Sequence, residues 1–448
     1  MFEQKVTRSP VSGAGSAACD VGTLATWIRD LGRINRDLTD AERIDLTRGL
    51  EELKAAASGA QAVLTADFDA SQRQAQANAG VRARDVGKGI AHQVALARRE
   101  SPHRGQIHLG LAKALTGEMP HTLTALRTGR LSEWRATLLV RETACCTRED
   151  RHTIDRIIAG NPDHLEQLSD KQLIDEVRKL AYRLDPHSVV DRRSKAAAER
   201  NVTLRPAPDT MTYLTALVPV EQGVAAYAAL TRHADTLRAT GDERTRGQAM
   251  ADTLVERLTG QTHASDVGVD VRVVITDRAL FAGDREPAIL EGYGLVPADW
   301  ARDLVADATE GLRAWFHRLY TAPGTGDLVA LDSRARTAPP GLASFIRTRD
   351  QRCRTLWCDA PIRHIDHIEN HADDGETIAF NLDGLCEACN HAKTARGWHA
   401  RPRPGPRHTI ETTTPTGHTY RSRAPALPGT DEGPGRMEIG FAQMLLAG

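Results

Sequence analysis

Four cysteines near the end of the chain constrain what its C-terminal part can fold into. Cys353 and Cys358 are separated by four residues, and Cys386 and Cys389 are separated by two. Each pair can present two thiolates from a tight turn, and four thiolates complete the closed tetrahedral shell of a structural zinc ion. Because the segment between the pairs must fold back on itself, the sequence predicts a small module whose core alone could not stabilise it.

The other three cysteines predict no metal site. Cys145 and Cys146 are adjacent in a helical pattern, and Cys19 lies in an N-terminal stretch rich in Ser, Gly and Ala. Small apolar or incidental residues explain them best. The sequence has no apolar run long enough for a membrane helix and no apolar signal segment at its start, so we expect a cytoplasmic protein, in which disulfides are rare.

The bulk composition limits how the chain could bind nucleic acid. The 448 residues carry a net charge of −1, so any binding to a polyanion must come from a local basic patch. Aromatic residues make up only 4% of the chain, so the cores must be built from Ala, Leu, Val and Ile. A chain of this length is expected to form two or three domains.

Periodicity and turn residues divide the chain into five parts. Helical spacing dominates the first half, and Pro and Gly clusters near Ala335–Gly341 mark a domain boundary. The predicted parts are a disordered tail (1–22), a helical domain (23–199), a small α+β unit with further helices of the same upstream region (200–335), the module that contains the two cysteine pairs (341–405), and a hairpin with a disordered tail beyond Pro425 (406–448).

The α+β unit is predicted from a change of period near residue 200. Alternating residues around a Pro-Asp turn predict a hairpin, two helical patterns follow, and a β-branched run predicts another strand. The predicted elements are Val202–Arg205 with Met211–Val218, helices Gln222–Ala239 and Glu243–Thr259, the strand Gly268–Thr276, and a helix over 300–320.

The segment between the cysteine pairs predicts a strand, a second strand and a helix. "RHIDHI" alternates polar and apolar residues, Asp374-Gly375 is a hairpin signal, and "TIAFNLDGL" can return as the second strand. "EACNHAKTARGW" has a helical pattern that opens at the second cysteine pair. Asp366 and His367 are neighbours at the end of the first strand, where they can reach one site from two sides.

In this order and spacing, residues 349–398 resemble the HNH endonuclease family. The resemblance rests on the cysteine pairs, Asp366-His367-Ile368, Asn381-Leu382, "LCEACN" and Lys393. It implies a mainly α N-terminal region with a small α+β unit, followed by a zinc-stabilised ββα-metal module. It also implies hydrolysis of DNA phosphodiester bonds, leaving a 5′ phosphate and a 3′ hydroxyl.

The resemblance implies a role for each matching residue. His367 takes the position of the general base that activates water, which a His can do near neutral pH. Asp366 and Asn390 take the positions of the ligands of a catalytic cation, with His391 as an alternative to Asn390. Asn381 is expected to tie down the loop and so orient His367. Two oxygen ligands suit Mg²⁺ or Mn²⁺ better than a second zinc ion.

The sequence departs from the family pattern at two places. Glu369 and Asn370 stand where members often have a proline, and Asn390 stands where many have the final His. His364 and His371 flank the site and are expected to face solvent or phosphate.

A concentration of basic residues around this segment favours contact with a polyanion. Arg363, Lys393 and Arg396 are predicted to bind nucleic acid, and no element predicts base-specific recognition. The full set is Arg347, Arg349, Arg352, Arg354 and Arg363 before the site, and Lys393, Arg396, Arg401, Arg403 and Arg407 after it.

The upstream region, over about residues 25–335, resembles an actinobacterial domain of unknown function that precedes HNH modules, also called the thirteen-E-twelve repeat family. The similar segments are "GEMPHTLTALRTGRLSEWRA", "YRLDP", "DERTRGQAMADTLVERL" and "LEGYGLVPADWARDLV". No catalytic pattern is found there. A polar stripe is interpreted as a salt-bridge network rather than a DNA-positioning surface; its members are Asp242, Arg244, Gln248 and Asp252.

Three functions follow from these observations. The first is a metal-dependent endonuclease acting on DNA, with RNA as an open alternative substrate. The second is a zinc-stabilised nucleic-acid-binding protein without cleavage activity. The third makes the upstream domain the main functional part, with a tethered nuclease as effector. Whether the helical domain forms a homodimer or binds a protein partner stays open.

Overall fold

Helices with defined caps build the first part of the chain. The computed structural model describes residues 19–186, 196–264, 272–310, 338–371, 375–405 and 407–429. Its first helices are α1 (Val21–Leu31), α2 (Asp40–Asn78), α3 (Ile90–Arg98), α4 (Pro102–Glu118), α5 (Pro120–Arg127), α6 (Glu133–Glu142), α7 (Arg148–Ala159), α8 (Pro162–Gln167) and α9 (Asp170–Leu184).

The predicted helix boundaries agree with the structure where a local signal exists. Thr39 caps α2 through a capping box with Glu42, Pro120 begins α5, and Ser132 caps α6. Gly129 follows α5 with a φ of 81°. These signals act within one turn of the chain, so the sequence alone can specify them.

The helical core is built from aliphatic side chains. Leu115, Leu126, Leu139, Ile154 and Leu173 are fully buried in one cluster. α3 and α4 approach closely at Gly105, where a Cβ would lie 2.3 Å from the carbonyl oxygen of Ala91. Close packing between helices therefore compensates for the scarcity of aromatic side chains in this core.

A buried carboxylate fixes the start of α5. Asp155 on α7 accepts hydrogen bonds from the backbone N–H groups of His121 and Thr122, both at 2.8 Å, and from the Thr122 hydroxyl at 2.5 Å. Pro120 has no N–H to donate, so Asp155 satisfies the next two donors at this helix end.

The α+β unit matches the predicted hairpin and helices. β1 (Asn201–Ala207) pairs antiparallel with β2 (Met211–Leu217), and α10 (Val220–Ala239) and α11 (Arg246–Thr259) follow. A second antiparallel sheet contains β3 (Val273–Val274), β4 (Ala288–Leu290) and β5 (Gly294–Val296). Two more helices belong to this part of the chain, α12 (Asp277–Phe281) and α13 (Ala298–Glu310).

Two predictions in this unit are changed or only partly covered. The strand predicted over Gly268–Thr276 is only Val273–Val274 in the described residues, and 265–271 lie outside them. The helix predicted over 300–320 begins at Ala298 and is described to Glu310. Residues 335–337 of the predicted boundary Ala335–Gly341 lie outside the described residues, and Pro340 and Gly341 begin a helix.

The polar stripe at and before the start of α11 is a salt-bridge network, as interpreted from the sequence. Arg244 donates to Asp242 at 2.6 Å and to Asp252 at 2.7 Å, and the bonds from the Arg244 side chain and backbone lower the pKa of Asp242 to about 2. Gln248 completes the capping box of Thr245.

Two small sheets and two α-helices form the described part of the C-terminal module. α14 (Pro340–Asp350) precedes the first cysteine pair, β6 (His364–His367) pairs antiparallel with β7 (Leu382–Leu385), and α15 (Glu387–Lys393) follows. The second sheet has the order β10–β9–β8, formed by β8 (His399–Arg403), β9 (Thr409–Thr413) and β10 (Thr419–Arg423).

Two details differ from the expected module. The segment "TIAFNLDGL" is a strand only over Leu382–Leu385, because Ala379–Asn381 forms a 3₁₀ turn. The disorder expected beyond Pro425 does not hold for residues 425–429, since Leu427 is buried against Leu342 and Ile346 of the module core. Residues 1–18 and 430–448 lie outside the described residues.

The helical region and the C-terminal module are in contact. Lys88 donates to the Thr394 hydroxyl at 2.8 Å, Arg396 donates to the carbonyl oxygen of Ala79 at 2.6 Å, and Thr416 bonds Gln93 at 3.1 Å. Among the described residues, no helix has the length and apolar character required to cross a membrane.

Candidate functional site

The four cysteines form a buried cluster that could hold a zinc ion. Their Sγ atoms all lie within 4.8 Å of one another, and among the described residues they are the one group of three or more His, Cys, Asp or Glu side chains so arranged. The Sγ atoms of Cys358 and Cys386 are 3.7 Å apart. A tetrahedral site with Zn–S bonds of about 2.3 Å has an edge of about 3.8 Å, so the cluster fits zinc.

Two tight turns bring these thiols together. The N–H of Cys358 donates to the carbonyl oxygen of Thr355, and the Sγ of Cys386 caps α15 by accepting from the N–H of Cys389 at 3.4 Å. The neighbouring thiols lower the pKa of Cys386 and raise the pKa of Cys389. Closely spaced sulfurs cannot all ionise without a cation between them, so the donor set requires a metal to become fully anionic.

The side chains of Asp366 and His367, at the end of β6, contact different partners. They stand opposite Asp383 and Leu382 in the regular antiparallel ladder. The Asp366 carboxylate lies 3.2 Å from Lys393 Nζ on α15, whereas the His367 ring meets the Thr377 hydroxyl at 2.8 Å. The two neighbours therefore line two sides of the end of β6, as a regular strand requires.

His367 is held in a buried position. It is 8% exposed, its Nε2 is engaged by Thr377, and its ring stacks on His371 with 5.5 Å between centroids. Burial lowers the pKa of His367, so the neutral ring is favoured. Nothing in the sequence pattern indicated Thr377 as its partner, because the contact spans the loop.

Asn381 closes the loop that follows His367. Its Oδ1 accepts from the N–H of Glu369 at 2.9 Å, and its Nδ2 donates to the carbonyl oxygens of Glu369 and Glu376 at 3.1 and 3.0 Å. A Cβ at Gly375 would lie 2.0 Å from the carbonyl oxygen of Glu369, so the loop passes too close at this point for a larger residue. The predicted turn residue Asp374 lies outside the described residues.

Asn390 and His391 differ in their surroundings. The Oδ1 of Asn390 is buried and makes no hydrogen bond within the described structure, whereas His391 is exposed on α15. Asn390 lies three residues before Lys393, on the same side of the helix. The unpaired oxygen makes Asn390 the better of the two candidate ligands.

Lys393 points into the module rather than to solvent. Its side chain is 14% exposed, and it donates to Asp366 and to the backbone oxygen of His367. Asp383, 3.9 Å away, was not expected at the site; burial raises its pKa to about 6. Lys393 is thus committed to the Asp366 side of the site, not to an exposed phosphate contact.

The other predicted basic contacts divide into buried and exposed groups. Arg349 and Arg354 are each 4% exposed, so the expectation that they contact phosphate is wrong. Arg363 and Arg396 are exposed, although Arg396 also bonds Ala79. His364 is exposed as expected, and the His371 ring lies 3.2 Å from the carbonyl oxygen of Gly375.

The two buried arginines belong to a network around Asp350. The Asp350 carboxylate accepts from Arg349 at 2.7 Å, from Arg354 at 2.9 Å and from the N–H of Gly384 at 2.8 Å. Arg349 also donates to the carbonyl oxygen of Leu382 at 2.7 Å. This network ties α14 to β7, directly beside the candidate site.

His408 extends the network to the second sheet. Its Nδ1 accepts from Arg354 at 3.1 Å, and its Nε2–H donates to the carbonyl oxygen of Phe380 at 3.0 Å. Burial lowers the pKa of His408 to about 4. The arrangement needs a neutral ring, because a protonated Nδ1 could not accept from the guanidinium.

Comparisons with known proteins bear on the upstream region. The family model described as "Domain of unknown function (DUF222)" matches residues 47–350, which end at the last residue of α14. An uncharacterized protein of Mycobacterium tuberculosis, Rv3776, is 36% identical over 136 residues, which cover 30% of this chain and 24% of the relative. The match thus spans about a quarter of that relative's length. No solved structure matches the chain.

Proposed function

We propose a function for this chain, which belongs to the family described as a domain of unknown function (DUF222), from the module that follows the family's matched residues 47–350. The proposed function is metal-dependent hydrolysis of DNA phosphodiester bonds, as in HNH endonucleases. The helical region would position the substrate or a partner. The proposal assigns His367 as general base and Asp366 and Asn390 as holders of a divalent cation.

The observation that carries the proposal is the bonding of Asn381. This side chain is 5% exposed, and its three hydrogen bonds all join it to the backbone of the loop after His367. A module that only binds zinc or DNA has no need to fix this loop behind a buried histidine. A catalytic base, in contrast, must be held within a fraction of an ångström of its productive position.

The surroundings of His367 suit proton transfer. Its lowered pKa keeps the ring neutral, and Thr377 occupies Nε2. Nδ1 is then the nitrogen that would take the proton of an attacking water. Thr377 would act as a positioning residue, since it fixes the ring without touching the substrate.

The donor atoms of Asp366 and Asn390 are of the type that a hard divalent cation takes. Asp366 offers a carboxylate oxygen and Asn390 an unpaired amide oxygen, and Mg²⁺ or Mn²⁺ is commonly held by one or two protein oxygens plus water and phosphate. A bound cation would stabilise the charge that develops on the phosphate and the leaving oxygen. Lys393 orients Asp366 by donating to it. The products would be a 5′ phosphate and a 3′ hydroxyl.

The test is plasmid nicking by the full chain with Mg²⁺ or Mn²⁺, with EDTA as the blank. His367→Ala should abolish nicking while zinc content stays at one ion per chain. His364→Ala is the matched control, because this exposed histidine lies on the same strand and should leave nicking unchanged. Equal nicking by His367→Ala and the wild type would overturn the assignment of the base.

A second candidate is a zinc-stabilised binding protein without cleavage activity. The observation in its favour is that His367 is only 8% exposed and Asp366 is already paired with Lys393. Duplex binding without nicking under either metal would favour this function. Capture of a specific protein by the chain, with nicking dependent on that protein, would instead support the reading in which the helical region directs a tethered nuclease.

A further inference from the structure

The outer face of the C-terminal sheet carries arginines in register. Arg401, Glu411 and Arg421 stand opposite one another on β8, β9 and β10, and Arg403 and Arg423 flank Thr409 two residues along. Cross-strand partners and residues two apart share one face of a sheet. The arginine face therefore consists of Arg401, Arg403, Arg421 and Arg423 around Glu411.

Glu411 organises this face. Its Oε1 accepts from Arg401 and Arg403, both at 2.7 Å, and its Oε2 accepts from Arg421 at 2.9 Å. These bonds, that of Arg403 first, lower the pKa of Glu411 to about 2, so the carboxylate stays ionised at any physiological pH. One carboxylate thus orders three guanidinium groups.

The face keeps an excess of positive charge. Four arginines against one glutamate leave +3 on this face, while the whole chain carries −1. The side chains of Arg401 and Arg421 remain 55% and 66% exposed despite their bonds to Glu411. Arg423 is exposed and forms no salt bridge with any described residue. Guanidinium groups with free N–H donors are well suited to phosphate oxygens.

The opposite face fixes the sheet to the module. Ile410 is 3% exposed, Tyr420 packs edge-on against Trp357 of the zinc turn at 6.2 Å, and Arg354 donates to the carbonyl oxygen of Ser422 at 2.9 Å. The arginines are therefore presented from a rigid support on the same module as Asp366 and His367. None of the strand residues on the arginine face is Phe, Tyr or Trp.

We infer that the arginine face binds the phosphate backbone of duplex DNA without sequence preference and so holds substrate for the module. This inference rests on the proposed nuclease function for its choice of polyanion. Charge complementarity selects a polyanion, and the lack of stacking aromatic side chains favours a duplex backbone over single strands, whose binding relies on base stacking.

The test compares the double variant Arg421→Gln/Arg423→Gln with the wild type in the full chain. Glu411 retains its bonds to Arg401 and Arg403, so the sheet should keep its fold. Affinity for a fluorescent duplex of random sequence is measured across a salt series. The slope of log K against log salt should fall by about 2, because each phosphate contact contributes about 0.9. The control Arg29→Gln/Arg33→Gln removes the same charge from exposed positions around α1 and should leave the slope unchanged.

An unchanged slope and affinity in the double variant, or no duplex binding by the wild type, would overturn the inference. Zinc content and melting temperature report whether the variant is folded; if they change, Arg423→Gln alone, which breaks no salt bridge, should still lower the slope by about 1. Plasmid nicking in parallel separates the two proposals. If the wild type binds duplex through the arginine face but does not nick, only the nuclease proposal is contradicted. If the wild type nicks and the double variant has an unchanged slope, only the proposal for the arginine face is contradicted.

Discussion

Asn381 holds the backbone of Glu369 from both sides: its Oδ1 accepts from the N–H at 2.9 Å, and its Nδ2 donates to the carbonyl oxygen at 3.1 Å. The amide thereby fixes the chain just beyond the bond from the Ile368 N–H to the Asn381 carbonyl oxygen at 2.8 Å, where the pairing of β6 with β7 ends. The loop that carries His371 is fixed relative to His367 by a side chain rather than by a longer ladder.

Asn381→Ala should release this loop. Three hydrogen bonds disappear and backbone groups of Glu369 and Glu376 lose their partner, at a cost of about 2–4 kcal/mol of unfolding free energy. Urea unfolding and amide hydrogen exchange at 368–376 measure the effect. Zinc content should not change, since the bonds that Asn381 makes go to Glu369 and Glu376 and not to a cysteine. Wild-type protection of the loop in the variant would show that Asn381 does not fix it.

Cys386→Ser should release the zinc ion. The substitution removes one of four thiolates while Ser can still cap α15, so the module loses the free energy of metal binding. Metal analysis should find much less than one zinc per chain, and the melting profile should lose its module transition. Cys19→Ser is the matched control, because Cys19 is exposed outside the cluster. Full zinc content in Cys386→Ser would refute the four-thiolate site.

Thr377→Val should impair the proposed nuclease without unfolding the module. Valine keeps the volume but loses the hydroxyl that engages His367 Nε2. Loss of such a partner typically costs 10–100-fold in activity, here expected in kcat rather than KM. Thr377→Ser should restore activity because it keeps the hydroxyl. The His367 imidazole resonances should change in the Val variant alone; identical spectra in all three proteins would exclude the positioning role.

Asp350→Ala should strongly destabilise the chain. It leaves the buried guanidinium groups of Arg349 and Arg354 without their carboxylate, and breaking a buried ion pair in this way costs about 3–5 kcal/mol. Asp359→Ala is the control, since its side chain is 83% exposed and its contact to Arg352 is 3.9 Å; it should change stability by about 0.5 kcal/mol or less. Equal denaturation midpoints for the two variants would contradict a structural role of the network.

His408 should make stability depend on pH between about 6.5 and 4. Its pKa is lowered to about 4 in the folded chain, so below 6.5 the unfolded chain binds the proton first. Stability from this group is therefore present above pH 6.5 and lost as pH falls toward 4, by about 3 kcal/mol in total. His408→Gln can keep the bond to Phe380 but does not titrate. The difference in unfolding free energy between the two proteins should shrink by this amount over the window; a constant difference would refute the assignment.

The sequence by itself determined the parts of the fold that local chemistry controls. Thr39, Pro120 and Ser132 mark helix starts because caps act within one turn. The spacing of the four cysteines predicted a cluster that the structure brings together, since four thiols in such pairs have few other uses in a small module. The alternating pattern and the helical pattern gave the order of β6, β7 and α15.

Only the tertiary structure decided which charges face inward. Arg349 and Arg354 look like Arg363 in the sequence, yet two are buried around Asp350 and one is exposed. The partners that compensate a buried guanidinium, such as His408, lie far along the chain, and their proximity depends on how the sheets pack. A charge is buried only where distant groups replace its water, and that condition is invisible to local periodicity.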